Sequence, residues 1–411
     1  MRSVQDHLAA VLAAVGPVAP LDVALHDAAG CILARDVIAT RDVPPTSTAA
    51  RDGYAVAAHE TADSASSAGL TLPVAHDVRP GAPTGLRLAP GQAVRVASGS
   101  ALPLGADAVV PLEETDRGAA RFALQRPAVA GQHVRAAGAD VRTGETVLQA
   151  GTRLGARQLA LAASLGHGRL HVHPHPRVVL LSVGDELVEP GTARPREGAV
   201  FETDGHALEA AVRDAGATPV RVGILPDDRG TLREALDDQL VRADLVVVTG
   251  GLSELVHDTV KDVLATLGTV RLDHVAMTPG FRHGFGTVGA ELGEERSVPL
   301  FALQGDPVAA QVSFEVFVRP ALRAMAGHAE LYRPSVAARA THAWTAPAGL
   351  RQFVPATVLG TPEEGYRVTP VGDPNAPTVS ALAHANALAV VGEQDTAVVA
   401  GQVVHCLVLE G

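Results

Sequence analysis

The stretch that decides the fold is Ala243–Lys261, ADLVVVTGGLSELVHDTVK. Its unbroken apolar run, Leu245–Val248, predicts a strand buried on both faces. Gly250 and Gly251 follow, and a helical pattern resumes with HDTVKDVLATLG. Glycines at a strand end let backbone approach a ligand closely. The N–H groups at the start of the next helix favour phosphate and other oxyanions. Ser253 adds a hydroxyl, and Asp258 and Lys261, three apart, share one helix face. The segment therefore reads as an oxyanion cradle with one carboxylate and one ammonium. The plain alternative is a surface ion pair worth tenths of a kcal/mol.

The same alternation extends in both directions. RVVLLSVGDEL, TPVRVGILPDD, TVRLDHVAMTPGF and VPLFALQGDP read as strands with loops. DGHALEAAVRDAG, RGTLREALDDQLV and PVAAQVSFEVFVRPALRAM read as helices. Short apolar strands alternating with helices predict a mostly parallel, doubly wound sheet. Ligands of such sheets bind beyond the carboxyl ends of the strands. Five small or acidic motifs fall there: Gly184-Asp185-Glu186, Pro226-Asp227-Asp228, Gly250-Gly251-Leu252-Ser253, Thr278-Pro279-Gly280 and Gly305-Asp306-Pro307. Any one alone reads as a turn or helix cap, and Asp185 reads as structural. Together they mark the functional edge. Glu186, Asp227 and Asp258 are candidates to share Mg²⁺, which takes hard oxygen ligands together with substrate phosphates.

Elsewhere the pattern changes. Residues 3–15 predict an amphipathic helix with Ser3 as N-cap. Short strands broken by Pro and Gly fill 45–135, and a turn-and-helix pattern returns before Gly166. The expected domains are a helical linker region (1–44 with 136–175), an inserted β-rich domain (45–135), the α/β domain (176–328) and a small C-terminal β domain (329–411). The expected class is thus a multidomain α/β and β protein.

Composition excludes several functions. The formal net charge is −12, against a broad nucleic-acid surface. Two cysteines, Cys31 and Cys406, build neither a disulfide framework nor a cysteine zinc site and read as inert buried thiols. No apolar run approaches the roughly 18 residues of a membrane span, and MRSVQDHLAAVL reads as a folded helix, not a signal peptide. The expected location is cytoplasmic. Of the 33 basic residues only Lys261 is a lysine. A compact ammonium is not equivalent to a guanidinium at a crowded phosphate site. His167, His171, His173 and His175 read as structural, as does Tyr54, and Arg351 reads as a turn arginine or a ligand contact.

GGLSxxxxDxxK, GDEL, the Pro-Gly loop, xGDPV before a long helix, ARDGYAV and ASGSALPLGADAVVPLEE occur in colinear order along nearly the whole chain. The set resembles the MoeA family, molybdopterin molybdenumtransferases related to the E domain of gephyrin. The resemblance implies a molybdopterin-binding α/β domain and an elongated homodimer of four-domain subunits. Its active site would lie between the α/β domain of one subunit and the β-rich domain of the other. It also implies a Mg²⁺-assisted reaction that takes adenylated molybdopterin and molybdate, releases AMP and inserts molybdenum into the dithiolene. Molybdopterin adenylyltransferase and apo-molybdoenzymes are the implied partners. The implied catalytic residues are Asp52, Ser98, Asp140, Glu186, Asp227, Asp258 and Lys261. Gly250, Gly251, Ser253, Pro279, Gly280, Arg282, Gly305 and Asp306 would bind the substrate.

Several positions depart from the family pattern. SAMDGYA is AARDGYA here, with Ala49 and Arg51, and the glycine two residues after the GGxS serine is Leu255. KPGKP is Thr278-Pro279-Gly280-Phe281-Arg282, an upstream lysine is His274, and the PGNP asparagine is Asp306. Lost lysines and an added carboxylate weaken attraction for a dianion, and Arg282, His283 or Arg271 are the residues expected to compensate, with Arg282 the cation of the loop itself. These departures motivate a second reading, a non-catalytic paralogue that carries molybdopterin or its cofactor form. A third, the adenylyl-transfer step, fits the four-domain layout less well.

Overall fold

The computed structural model describes residues 1–65, 70–82, 85–252, 258–267, 269–289 and 297–409. The chain forms two compact units, residues 1–34 with 170–411 and residues 35–169.

In the first unit the elements that position the site are α1 (Val4–Ala14), β1 (Arg177–Val183), α2 (Asp204–Asp214), β2 (Thr218–Leu225), α3 (Arg229–Leu240), β3 (Leu245–Thr249), α4 (Thr259–Ala265), β4 (Arg271–His274), β5 (Met277–Thr278), β6 (Arg282–Val288), β7 (Val298–Leu303), α5 (Pro307–Ser313) and β8 (Arg351–Thr361). Ser3 caps α1 as the sequence predicts, its side chain accepting the Asp6 N–H at 3.0 Å.

The α/β sheet has the order β2-β1-β3-β7-β6-β4. Four strands are parallel, while β6 runs antiparallel to both β7 and β4. The sheet is therefore mixed at one side, where the sequence predicts it mostly parallel, and β6 is a strand the pattern does not announce. Strand periodicity sends alternate residues to opposite faces. In β1, Val178 and Leu180 join a core with Val4 and Val11 of α1, Leu208 of α2 and Val312 of α5. Val179, Leu181 and Val183 join the opposite core with Leu232 and Leu236 of α3 and Val260 and Leu264 of α4. Helices cover both faces, which is the doubly wound arrangement expected. The helical run from Pro307 continues to Met325 through a π turn at Phe314–Val318. Pro320, separated from that turn by Arg319, supplies no N–H to a regular helical ladder.

Within the same unit, residues 335–408 form a β region. Its strands Arg351–Thr361, Gly365–Pro370, Ser335–Ala340, Val403–Val408 and Ala387–Val391 pair in that order. Arg351–Thr361 also pairs with Ala387–Val391, so the five strands close on themselves and leave no long free edge. β5 joins this sheet, with Met277 in register with Arg351 and Thr278 with Gln352.

The second unit is built on a five-stranded sheet in the order Ala108–Pro111, Gly53–Val56, Ala93–Val96, Leu70–Val78 and Arg121–Leu124. Tyr54 is buried there, stacked on Phe122 at 3.8 Å with its hydroxyl donating to the Gly118 carbonyl. It is a core residue, as expected.

Candidate functional site

The sheet order brings all five predicted loops to one edge. At the end of β3, Gly250 has φ +97°, and a Cβ there would lie 2.1 Å from the Val183 carbonyl oxygen. Only glycine fits this close crossing of β1 and β3. A Cβ on Gly251 would lie 2.6 Å from Asp258 Oδ1. Asp258 is 6% exposed and caps α4, its carboxylate accepting the Lys261 backbone N–H at 3.0 Å. The expected pairing of Asp258 and Lys261 is thus a cap to backbone. Leu252 holds φ +62°, an uncommon conformation for a branched side chain. Ser253 and Leu255 lie outside the described residues.

Glu186 folds back over Gly184, where a Cβ would stand 2.7 Å from Oε2. Asp185 and Asp227 each accept the other's backbone N–H at 3.2 Å, tying the β1 and β2 loops together. Asp185 is a loop tie, as read from sequence, and one carboxylate oxygen of Asp227 completes it. Asp228 caps α3 through the Thr231 N–H. Gly305 approaches Gly250 so closely that a Cβ would lie 3.1 Å from the Gly250 Cα. Asp306 caps α5, accepting the Ala309 N–H at 2.8 Å.

Pro279 and Gly280 connect β5 to β6. Gly280 sits against α5, where a Cβ would meet Ser313 Oγ at 2.6 Å. Its carbonyl accepts a 2.6 Å hydrogen bond from His283 Nε2. His283 is 2% exposed; burial, with the neighbouring His7 adding, pushes it down to about 3. The imidazole is therefore neutral and its N–H faces Gly280. Arg282 donates to the Leu252 carbonyl at 2.9 Å and lies over the Phe281 ring at 4.7 Å. A cavity of about 230 Å³ opens here, lined by Leu252, Lys261, Asp273, His274, Arg282 and His283 with Leu272. Three of the residues around it, Lys261, Arg282 and His274, are basic side chains suited to an oxyanion. Sequence reading named Arg282, Lys261 and His283 for the site but not His7; buried and neutral, His283 does not supply the compensating charge. Polar residues on an amphipathic helix and in a glycine-rich run give no signal of burial.

Among the described residues no group of three His, Cys, Asp or Glu is arranged to hold a metal ion. Glu186, Asp227 and Asp258 consequently do not form a preformed three-ligand cage. The caps and backbone bonds of Asp258 and Asp227 already engage their carboxylates. His171, His173 and His175 instead have separate partners, Asp22, the Val18 carbonyl, and the Gly216 and Ala29 carbonyls. Arg351 pairs with Glu393 at 3.1 Å and starts the strand beside Met277.

In the second unit Asp52 and Ser98 meet directly. The Asp52 carboxylate accepts the Ser98 N–H at 2.6 Å, and Ser98 Oγ donates to the Ala50 carbonyl at 3.3 Å. Asp52 borders a cavity of about 190 Å³ with Asp77, Arg79 and Arg95. Asp140 lines another of about 420 Å³ with Val43, Pro44, Arg135 and Ala139.

Three family patterns cover the chain: the MoeA N-terminal region (domain I and II) over residues 2–166, the probable molybdopterin binding domain over 179–324, and the MoeA C-terminal region (domain IV) over 337–409. The molybdopterin molybdenumtransferase 1 of Mycobacterium tuberculosis is 39% identical, covering 95% of each chain. The chain belongs to the MoeA family. Molybdopterin molybdenumtransferase 2 of the same organism is 38% identical over 98% of each chain. A MoeA protein structure from Pyrococcus horikosii superposes with a TM-score of 0.79 at 26% identity, covering 100% of this chain and 99% of that one. The MoeA layout, an α/β molybdopterin-binding type domain with β-rich domains, is the one predicted from the motifs. No described helix is long and apolar enough to cross a membrane.

Proposed function

We propose that this chain is a molybdopterin molybdenumtransferase. It takes adenylated molybdopterin and molybdate, releases AMP and leaves molybdenum on the dithiolene sulfurs. The observation that supports this most is the convergence at one sheet edge of the Gly250-Gly251 crossing, the capped α4 with Lys261, and the cavity bordered by Lys261, Arg282 and His274. Backbone N–H groups, cations such as Lys261 and Arg282, and imidazole donors stabilise phosphate and molybdate oxygens. Gly250, Gly251 and Ser253 cradle phosphate, Lys261 neutralises it, and Arg282 in the Pro279-Gly280 loop binds the oxyanion. Gly305 lets its loop approach Gly250, and Asp306 fixes the start of α5. Asp52 and Ser98 are proposed to act from the β-rich domain of a second subunit in a homodimer, and Asp140 from the linker region that follows that domain.

Mg²⁺ belongs to the same proposal as a companion of the substrate phosphates. Hard carboxylate oxygens suit it, and Mg²⁺ needs only one or two from protein. Glu186 and Asp227, on adjacent tied loops, would supply them, with Asp258 nearby on the third. The ion supplies charge neutralisation at phosphate. A cytoplasmic location, a supply of substrate by molybdopterin adenylyltransferase and delivery to apo-molybdoenzymes complete the reading.

Full-length similarity to two curated molybdenumtransferases does not favour the carrier alternative. The deciding experiment incubates the protein with adenylated molybdopterin, molybdate and Mg²⁺ and follows AMP and active cofactor. Molybdate-dependent AMP release with cofactor formation is expected. Substrate binding with neither product would overturn the enzyme reading in favour of a carrier.

A further inference from the structure

Asp204 opens α2 at the functional edge of the sheet and is 6% exposed. Its Oδ1 is shut from solvent and has no hydrogen-bond partner among the described residues. The charged groups that face it are both acidic: Glu202 from the segment before α2, and Asp306 from the head of α5, which packs on α2. The Arg221 guanidinium on β2 engages Glu189, Glu202 and the His206 ring. Glu202 is itself satisfied by Ser182 Oγ at 3.1 Å and the Gly205 N–H at 2.6 Å. Among the described residues Asp204 therefore has neither a counter-charge nor a donor, and an ionised carboxylate in such a place is strongly disfavoured. Burial first, then Glu202 and Asp306, push its carboxyl up to about 8. At neutral pH the side chain is an acid with a proton to offer.

We propose that Asp204 is a binding residue of this edge, a neutral carboxylic acid donating a hydrogen bond to an oxygen of a tetrahedral oxyanion seated by Gly250 and Gly305. The oxyanion is molybdate or the substrate phosphate, which present the same acceptor chemistry. The inference rests on the transferase reading above. An ionised carboxylate would repel such a dianion, whereas a protonated one binds it, as buried neutral carboxylic acids do at other oxyanion sites. Asp306 stands where the family pattern has an amide, so the Asp204 proton also restores a donor to this corner. Affinity for the oxyanion then depends on that proton and falls as it leaves.

The test measures AMP release from pH 6.5 to 9.5 in the full-length protein, Asp204→Asn and Asp204→Leu, varying molybdate and adenylated molybdopterin separately. Asn keeps a donor of the same shape and does not titrate. In the unsubstituted protein the KM of one of the two substrates is expected to rise about tenfold per pH unit above pH 8, as one linked proton requires. The substrate whose KM rises is the oxyanion that Asp204 holds. Asp204→Asn should flatten that rise, and Asp204→Leu should raise the same KM at every pH. Melting temperatures establish that each variant is folded, and the Asn profile decides the matter by itself if the Leu variant is not. AMP release with no alkaline rise, or with the same rise in Asp204→Asn, overturns the role of Asp204 and leaves the transferase reading standing. No AMP release at any pH overturns both.

Discussion

The Asp258 carboxylate accepts the backbone N–H of Lys261 at 3.0 Å and closes the first turn of α4. One side chain thus holds the helix whose ammonium borders the cavity. Asn caps helices about as well as Asp, whereas Ala costs about 1 kcal/mol. Asp258→Asn is therefore expected to keep the melting temperature within a few degrees and to reduce AMP release by at least about a hundredfold, because only the charge is lost. Asp258→Ala should lose both. Thermal melts beside an AMP assay separate the two effects, and full activity in Asp258→Asn would remove the carboxylate from the chemistry.

Arg282 joins two loops of the edge by donating to the Leu252 carbonyl at 2.9 Å. Leu252 is held at positive φ, so this bond also pins a strained turn. Lysine offers a point charge without the planar fork that reaches Leu252 while facing the cavity. Arg282→Lys is expected to raise the KM for molybdate about tenfold, and Arg282→Ala about a hundredfold, with smaller changes in kcat. Equal kinetics for the Lys variant and the native enzyme would show that charge alone is used.

How much of this was legible in the sequence follows from what each strand buries. β1 and β3 are apolar on both faces and announce themselves as VVLLSV and LVVV. The edge loops follow from them by topology. β6, RHGFGTV, gives no such signal, because two of its residues must be glycine. A Cβ on Gly286 would stand 2.4 Å from the Thr269 carbonyl oxygen, and one on Gly284 would stand 2.8 Å from Ala302 Cβ. Close packing here replaced the β-branched residues that mark a strand. β5 is hidden for another reason: its two residues, Met277 and Thr278, are recruited by pairing with Arg351 and Gln352, far along the chain. Asp204 and His7 are invisible, and His283 reads as a cation, because polar residues read as surface unless long-range packing buries them.

That histidine pair predicts acid sensitivity. His7 is 1% exposed, packed on His283 and Phe317, and burial pushes it down to about 4, with Arg2 adding. Its folded value lies below the unfolded 6.5, so the unfolded chain binds the proton more readily. The contribution is present above pH 6.5 and is lost as pH falls towards 4, by about 3 kcal/mol at most for His7. Melting temperature should fall steeply from pH 6.5 to 4, and His7→Phe should flatten part of that fall. An unchanged acid slope in the variant would mean other groups drive it.

His175 has the opposite sign. Its Nδ1 lies 2.7 Å from the Gly216 carbonyl oxygen and its Nε2 3.1 Å from that of Ala29. Both nitrogens can donate only in the imidazolium. The Cys31 side chain first, with burial opposing and the two carbonyls assisting, raises it to about 9. The folded value exceeds the unfolded 6.5, so its stabilisation is complete below pH 6.5 and is lost as pH rises through about 9. His175→Gln should lower the melting temperature at pH 6 and leave it nearly unchanged at pH 9.5. A uniform loss across that range would indicate packing, not charge.

Gly250 makes the sharpest demand on a single atom. Its φ of +97° is one that L side chains rarely adopt, and an added methyl would lie 2.1 Å from backbone at Val183. Gly250→Ala must displace either the β1 end with its Glu186 loop or the β3 end with its α4 cradle. Strain at such a residue costs of order 1–3 kcal/mol, and the backbone overlap adds to it. We expect a melting temperature lower by several degrees and AMP release reduced by more than about a hundredfold, the second effect exceeding what instability alone produces at 25 °C. Gly230→Ala, in α3 and 3.3 Å from only a side-chain atom, is the control and should leave the loop geometry intact. Native AMP release from a folded Gly250→Ala protein would show that the crossing of β1 and β3 is not part of the site.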